Sequence, residues 1–232
     1  MANIPLPEMQ NTPETTQEAQ ARRRVLVAGA SGLVGGHLLQ ALLADATVAE
    51  VHALCRRPLR HTHPRLITHF VDFSRLPELP PVDEVYLALG TTIKQAGSQA
   101  AFRAVDHDAN LAVAKAALLA GARRIGLVSA MGADAASRVF YNRVKGELEE
   151  ALAALDTQAL VIARPSLLLG DRTALGQPAR RSEAVSQRIG AWVSALLPAN
   201  YRPIEARRVA TALLAAMPQA QGRVVLLSGQ MQ

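Results

Sequence analysis

Short, nearly continuous apolar runs alternate along the chain with longer stretches in which apolar residues recur at helical spacing. The runs VLVAGA (25–30), VAEVHALC (48–55), LITHFVDF (66–73), EVYLALG (84–90), RIGLVSA (124–130), ALVIARPS (159–166) and RVVLLS (223–228) predict strands. Helices are expected between them at about 33–45, 98–120, 138–155, 182–196 and 205–217. Strands without polar alternation are buried on both faces, and strands that alternate with helices pair in parallel. The pattern therefore predicts an α/β fold built on a doubly wound parallel sheet.

Two stretches lie outside this rhythm. Residues 1–20 are polar and hold three prolines, which reads as a flexible tail. Residues 21–232 are then expected to form a single domain, with substrate-side segments at about 166–205. The second stretch, GDRTALGQPARR (170–181), is rich in Gly, Pro and Arg and follows a strand end. In a doubly wound fold ligands gather at the carboxyl ends of the strands, so this loop is the expected substrate-side lid. Trp192, in the apolar stretch that follows, either shapes the substrate pocket or fills core.

Composition narrows the class. Of 232 residues, 50% are hydrophobic and 19% charged, which excludes general disorder. Charges such as Lys115 and Arg164 interrupt every apolar stretch before the roughly 18 residues a membrane span needs. The opening residues lack a basic segment leading into an apolar one, so no secretory signal is expected. Cys55 is the only cysteine, so no intramolecular disulfide can form, and a reducing, cytoplasmic location is expected.

The formal net charge is +6, yet 22 of the 25 basic residues are Arg, spread in separate pairs. Aromatic residues that could stack on bases make up only 3%. Discrete anionic ligands fit this distribution better than nucleic acid does. His61, His63 and His69 straddle Pro64 and a strand boundary without a partnering carboxylate or thiolate cluster, so no metal site is expected.

The chemistry begins after the first predicted strand, where Gly29, Gly32 and Gly35 recur every third residue at the entry to a helix. Such a turn brings backbone N–H groups and the positive helix end against a diphosphate. At the end of the second strand an acidic residue would bind a ribose 2′-hydroxyl, but this chain has Arg56 and Arg57. A guanidinium pair suits a 2′-phosphate, so NADP(H) is expected over NAD(H). Asp72 and Phe73 end the third strand and could flank adenine, while Gly90, Thr91 and Thr92 end the fourth, beside diphosphate and ribose.

Ser129 closes the fifth strand, and Tyr141 and Lys145 follow four residues apart in a predicted helix. That spacing puts phenol and ammonium on one face. A free phenol ionises near pH ~10, and a neighbouring cation favours the phenolate. Ser129 can then hydrogen-bond a substrate oxygen while Tyr141 passes a proton to or from it, as hydride moves between substrate carbon and nicotinamide. With three Tyr and three Lys in the chain, only about 0.04 Tyr-x-x-x-Lys pairs arise by chance.

On GASGLVG, CRRP, VDF, LGTTIKQAG, SAMGAD, YNRVKGELE and RPSLLLGDR, the chain resembles the short-chain dehydrogenase/reductase superfamily over about residues 22–228. The last five segments resemble its atypical branch, which includes the Tat-interacting-protein-like oxidoreductases and their bacterial relatives. The resemblance implies an NAD(P)-binding Rossmann fold with a small C-terminal substrate-side region. It implies that Gly29, Ser31, Gly32, Leu33, Val34 and Gly35 hold the diphosphate and that Arg56 and Arg57 hold the 2′-phosphate. Leu89 joins Gly90, Thr91 and Thr92 along the cofactor, and Pro165 and Ser166 border the nicotinamide. Ser129, Tyr141 and Lys145 would be the catalytic triad, with Tyr141 and Lys145 also touching cofactor. Extended members usually place an Asn where this chain has Asp106, with Asn110 one turn later.

The expected function is NADP(H)-dependent oxidation or reduction of a small carbonyl or alcohol. A nucleotide-sugar epimerase or dehydratase would use the same hydride and proton chemistry, and a non-catalytic NADP(H) sensor or assembly protein would use only the fold. The expected partner is a small-molecule substrate, with no nucleic acid and no membrane span; a homodimer is left open.

Overall fold

The computed structural model describes residues 22–170 and 198–232. Seven strands form one parallel sheet: β1 (Arg23–Ala28), β2 (Val48–Cys55), β3 (Leu66–Phe70), β4 (Glu84–Leu87), β5 (Arg124–Val128), β6 (Ala159–Arg164) and, last in the chain, β9 (Gly222–Leu227). Their spatial order is β3-β2-β1-β4-β5-β6-β9. The chain thus works outward from β1 to one edge and then returns through β4 to the other, which makes the doubly wound sheet expected from the sequence. The switch between β1 and β4 opens a crevice at their carboxyl ends.

Alternation within the strands sends side chains to two cores. Val25 and Val27 of β1 join Leu38, Leu39 and Leu42 of α1 (Leu33–Ala44) and Val209 and Leu213 of α6 (Ala206–Ala216) on one face. Leu26 and Ala28 face the other way, against Val113 and Ala117 of α4 (Asn110–Leu119) and Leu148 and Leu152 of α5 (Phe140–Ala153). Covered on both sides, the central strands β1, β4, β5 and β6 are apolar over most of their length, whereas the edge strands β3 and β9 are only partly buried.

Where the structure departs from the pattern, it does so mostly at the carboxyl edge. The strand expected over 66–73 stops at Phe70, and that over 84–90 at Leu87. Small and apolar residues continue past both ends, but the backbone leaves the sheet there. The helix expected over 98–120 is three pieces: α3 (Gln99–Arg103), a wide π-helical turn at Ala104–Ala109, and α4. A short α2 (Ile93–Ala96) precedes it, ended by Gly97 in the left-handed region.

Beyond β6, β7 (Leu168–Leu169) pairs in parallel with β8 (Ile204–Glu205). This small ribbon brings Leu168–Leu169 and Ile204–Glu205 together. The tail 1–20, the lid candidate beyond Gly170, the helix expected at 182–196 and Trp192 lie outside the described residues.

Candidate functional site

The turn from β1 into α1 is shaped by close backbone packing. Gly29 has φ +91°, and a Cβ there would collide with the Ala88 carbonyl behind β4. A Cβ at Gly35 would strike the Gly29 carbonyl. Both positions exclude any side chain, and Gly32 N donates to Gly29 O at 2.8 Å to close the turn. The first turn of α1 carries no acidic residue and no side-chain cap. Its leading amides, from Leu33 to Gly35, therefore have no helical acceptor and present a positive end to the crevice. Ser31 is exposed on the turn.

Arg56 and Arg57 follow β2 directly and are exposed, while Cys55 before them is buried, with burial pushing its thiol up. Asp72 is exposed, and its Oδ1 accepts from the Ser74 amide and hydroxyl, which hold the carboxyl below its usual range. Phe73 is half-buried against the second core. Past β4, Leu89 and Thr91 are half-buried, Gly90 and Thr92 exposed. Thr92 Oγ1 caps α2 by accepting from Gln95 N at 3.1 Å.

Helix α5 carries the centre of the site. Tyr141, Lys145 and Glu149 stand at i, i+4 and i+8, on one face. Tyr141 is half-buried, with its ring 5.5 Å from that of Phe102. Lys145 is buried, and its Nζ lies 2.8 Å from Asp106 Oδ1. Burial works to lower its pKa, but Asp106, Tyr141 and Glu149 outweigh that, so it is raised and the ammonium stays charged. Asp106 sits in the π-helical turn, where Oδ2 accepts from Thr91 N at 2.8 Å. Asn110 Nδ2 donates to Leu89, Val105 and Asp106 carbonyls, pinning the same loop. The wide turn thus brings one carboxylate within reach of both the loop after β4 and the lysine on α5.

Ser129, just past β5, is buried, and its hydroxyl donates to Glu149 Oε1 at 2.6 Å. Arg164 grips the same carboxylate through Nε at 3.0 Å and Nη2 at 2.6 Å, and Arg223 Nη2 adds a third hold at 3.1 Å. Glu149 raises the Arg164 pKa by direct hydrogen bonding. Pro165 is buried, and its carbonyl accepts from Met131 N. Ser166 donates to the Arg202 carbonyl and accepts from Ser228 Oγ at 3.0 Å. His69, singled out with two other histidines, instead meets His52 across β2 and β3 at 3.0 Å.

Sequence reasoning passed over Glu149 and Arg164 and treated Asp106 only as a departure from an Asn. The signal for Glu149 was its place four residues beyond Lys145 on a helix face that is otherwise apolar at 144, 148 and 152.

A family model described as NAD dependent epimerase/dehydratase family matches residues 25–227. The chain belongs to this family. Among curated relatives, the mitochondrial protein FMP52 of Eremothecium gossypii is 41% identical over 150 residues, spanning 63% of this chain and 67% of that protein. The corresponding protein of Emericella nidulans is 37% identical over 173 residues, spanning 70% and 72%. These relatives are named as mitochondrial proteins, which overturns the expectation of a cytoplasmic location. A reduced lone cysteine could not have separated the two compartments.

Solved structures share the fold. MoeE5 in complex with UDP-glucose and NAD superposes with TM-score 0.66 at 20% identity, covering 88% of this chain and 75% of that one. An oxidoreductase of the short-chain dehydrogenase/reductase family from Burkholderia thailandensis gives 0.65 at 18% identity, covering 90% and 93%. The family is described as NAD dependent, and the solved neighbours, at 18–20% identity, show the fold. None of the described helices is long and apolar enough to cross a membrane.

Proposed function

We propose that the protein is an NADP(H)-dependent oxidoreductase of short-chain dehydrogenase type that moves hydride to or from a small carbonyl or alcohol. One observation carries this reading: a charged, buried Lys145 shares a face of α5 with Tyr141 and is tied through Asp106 to Thr91, in the loop after β4 whose Ala88 and Leu89 pack on the glycine turn. The motifs that resemble the Tat-interacting-protein-like branch support the same chemistry.

The glycine cradle and the free amides of α1 fit a dinucleotide. Gly29, Ser31, Gly32, Leu33, Val34 and Gly35 would hold its diphosphate, and Arg56 and Arg57 its 2′-phosphate. Asp72 and Phe73 would flank adenine, with Leu89, Gly90, Thr91 and Thr92 along the middle and Pro165 and Ser166 at the nicotinamide. The bound nicotinamide supplies or accepts the hydride. Tyr141 gives a proton to the substrate oxygen on reduction and takes it back on oxidation. Lys145, charged and on the same face of α5 as Tyr141, would contact the nicotinamide ribose. Ser129 holds the substrate oxygen, which requires its hydroxyl to turn away from Glu149. Substrate selection belongs to the segments at about 166–205 of the single domain 21–232.

The test is affinity for NADPH and NADH followed by turnover of carbonyl substrates. NADPH should bind more tightly, and Arg56→Ala with Arg57→Ala should weaken NADPH selectively. Tyr141→Phe should cut turnover by about 100-fold or more, the usual worth of a positioned acid-base group. Equal turnover by Tyr141→Phe would refute the proton-transfer role, and unmeasurable NADPH affinity would refute the cofactor.

A second reading, epimerisation or dehydration of a nucleotide sugar, is favoured by the family match and by neighbours solved with UDP-sugars. It would use the same Tyr141 and Lys145. Conversion of a UDP-hexose without net change in NAD(P)H separates it from the first. A purely binding role is disfavoured because both groups are present and Lys145 is charged.

A further inference from the structure

The Asp106 carboxylate is divided between two elements, the turn after β4 and helix α5. Its Oδ2 accepts from the Thr91 amide at 2.8 Å, and its Oδ1 pairs with Lys145 Nζ at 2.8 Å. Both side chains of the ion pair are 5% exposed or less, so solvent does not replace it. The wide π-helical turn at Ala104–Ala109 sets this reach, and such turns recur at functional sites. Asn110, one turn on, fixes the neighbouring Leu89 carbonyl and leaves Thr91 to Asp106. A neutral amide at position 106 would carry no charge to balance the buried ammonium.

We propose that Asp106 is a positioning residue that clamps Lys145 to the Leu89–Thr91 turn and balances its buried charge, so that the lysine's charge state and the turn's conformation change together. The catalytic meaning of the clamp rests on the oxidoreductase reading; the clamp itself does not. The groups that face Lys145 are Asp106 from the π-helical turn and Tyr141 and Glu149 from its own helix. Without Asp106 the ammonium loses its closest anion, and burial then favours the neutral amine.

The chain has three lysines, Lys94, Lys115 and Lys145, so protein labelled with nitrogen-15 in lysine gives three side-chain signals by NMR. Lys145 is assigned by Lys145→Arg. In Asp106→Asn its titration midpoint should fall by about one pH unit or more, the usual effect of removing an opposite charge at contact distance. The same midpoint in Asp106→Asn and wild type would overturn the proposal. The converse experiment leaves Asp106 in place. Lys145→Met should raise hydrogen exchange of the Thr91 amide by about tenfold or more, because a carboxylate without its cation no longer keeps its orientation. Unchanged exchange there would also overturn the clamp. In turnover, Asp106→Asn should lower kcat more than it raises the carbonyl KM and move the pH profile toward acid, whereas lost packing alone would leave the profile in place. If the lysine signal and the Thr91 exchange both respond but wild type binds no NADPH, the clamp stands and the oxidoreductase reading fails.

Discussion

Replacing Glu149 with Ala should destabilise the protein by about 3 kcal/mol. The carboxylate is 1% exposed and accepts from Ser129, Arg164 and Arg223. Removing one partner of a buried ion pair costs about 3–5 kcal/mol, mainly because the remaining charge is stranded. Here the lower end applies: the Arg164 side chain is 24% exposed and Arg223 42%, so both guanidinium groups can regain water. At about 2–4 °C per kcal/mol for a domain of this size, the melting temperature should fall by about 6–12 °C. Scanning calorimetry of wild type, Glu149→Ala, Arg164→Ala and the double variant closes a thermodynamic cycle. The double variant should lose much less than the sum of the singles, because removing Arg164 also removes the stranded charge. A fall under about 2 °C for Glu149→Ala, or additive losses in the double variant, would refute the view that this carboxylate anchors the end of β6 to α5.

Three further outcomes follow from the packing. Gly35→Ala should abolish dinucleotide binding and lower the melting temperature, since its Cβ meets the Gly29 carbonyl, which is backbone and cannot step aside; isothermal titration and a thermal melt check both. Arg65→Ala should destabilise by about 1–3 kcal/mol, measured by urea unfolding, because its guanidinium accounts for the Leu43, Asp45 and Val48 carbonyls at the end of α1. His52 and His69 both have pKa values lowered by burial, His52 also by His69 beside it. The unfolded chain therefore binds more protons near pH 6, and stability should rise with pH through the region below 6.5, then level off. Melting temperatures from pH 5 to 8 should show this slope, and it should shrink in His52→Gln.

The sheet was legible in the sequence because its central strands β1, β4, β5 and β6 are buried on both faces and so run apolar over most of their length. The same signal overran the strand ends at Val71–Phe73 and Ala88–Gly90, because apolar residues continue there while the backbone has already left the sheet. The glycine turn was legible because backbone contact admits only one residue type. Tyr141 and Lys145 were legible through spacing on a single helix. Asp106 and Glu149 were not, since their partners come from distant elements: Asp106 meets Lys145 across the fold, and Glu149 meets Arg164 and Arg223 on two strands. The break in the helix expected at 98–120 escaped notice for the same reason, because the π-helical turn is held by tertiary bonds to Leu89 and Thr91 and not by a Gly or Pro in its own sequence.

The ribbon of β7 and β8 gives the molecule a fixed doorway. Leu168 and Ile204 stand side by side, and the Ile204 amide is bonded to the Leu167 carbonyl at 2.9 Å. Whatever runs between these points begins and ends at one place on the scaffold. The ribbon therefore fixes positions 168 and 204 against each other. Chain exchanged between these two points would enter and leave at the same pair of bonds, with β6 ending before the first and α6 beginning after the second.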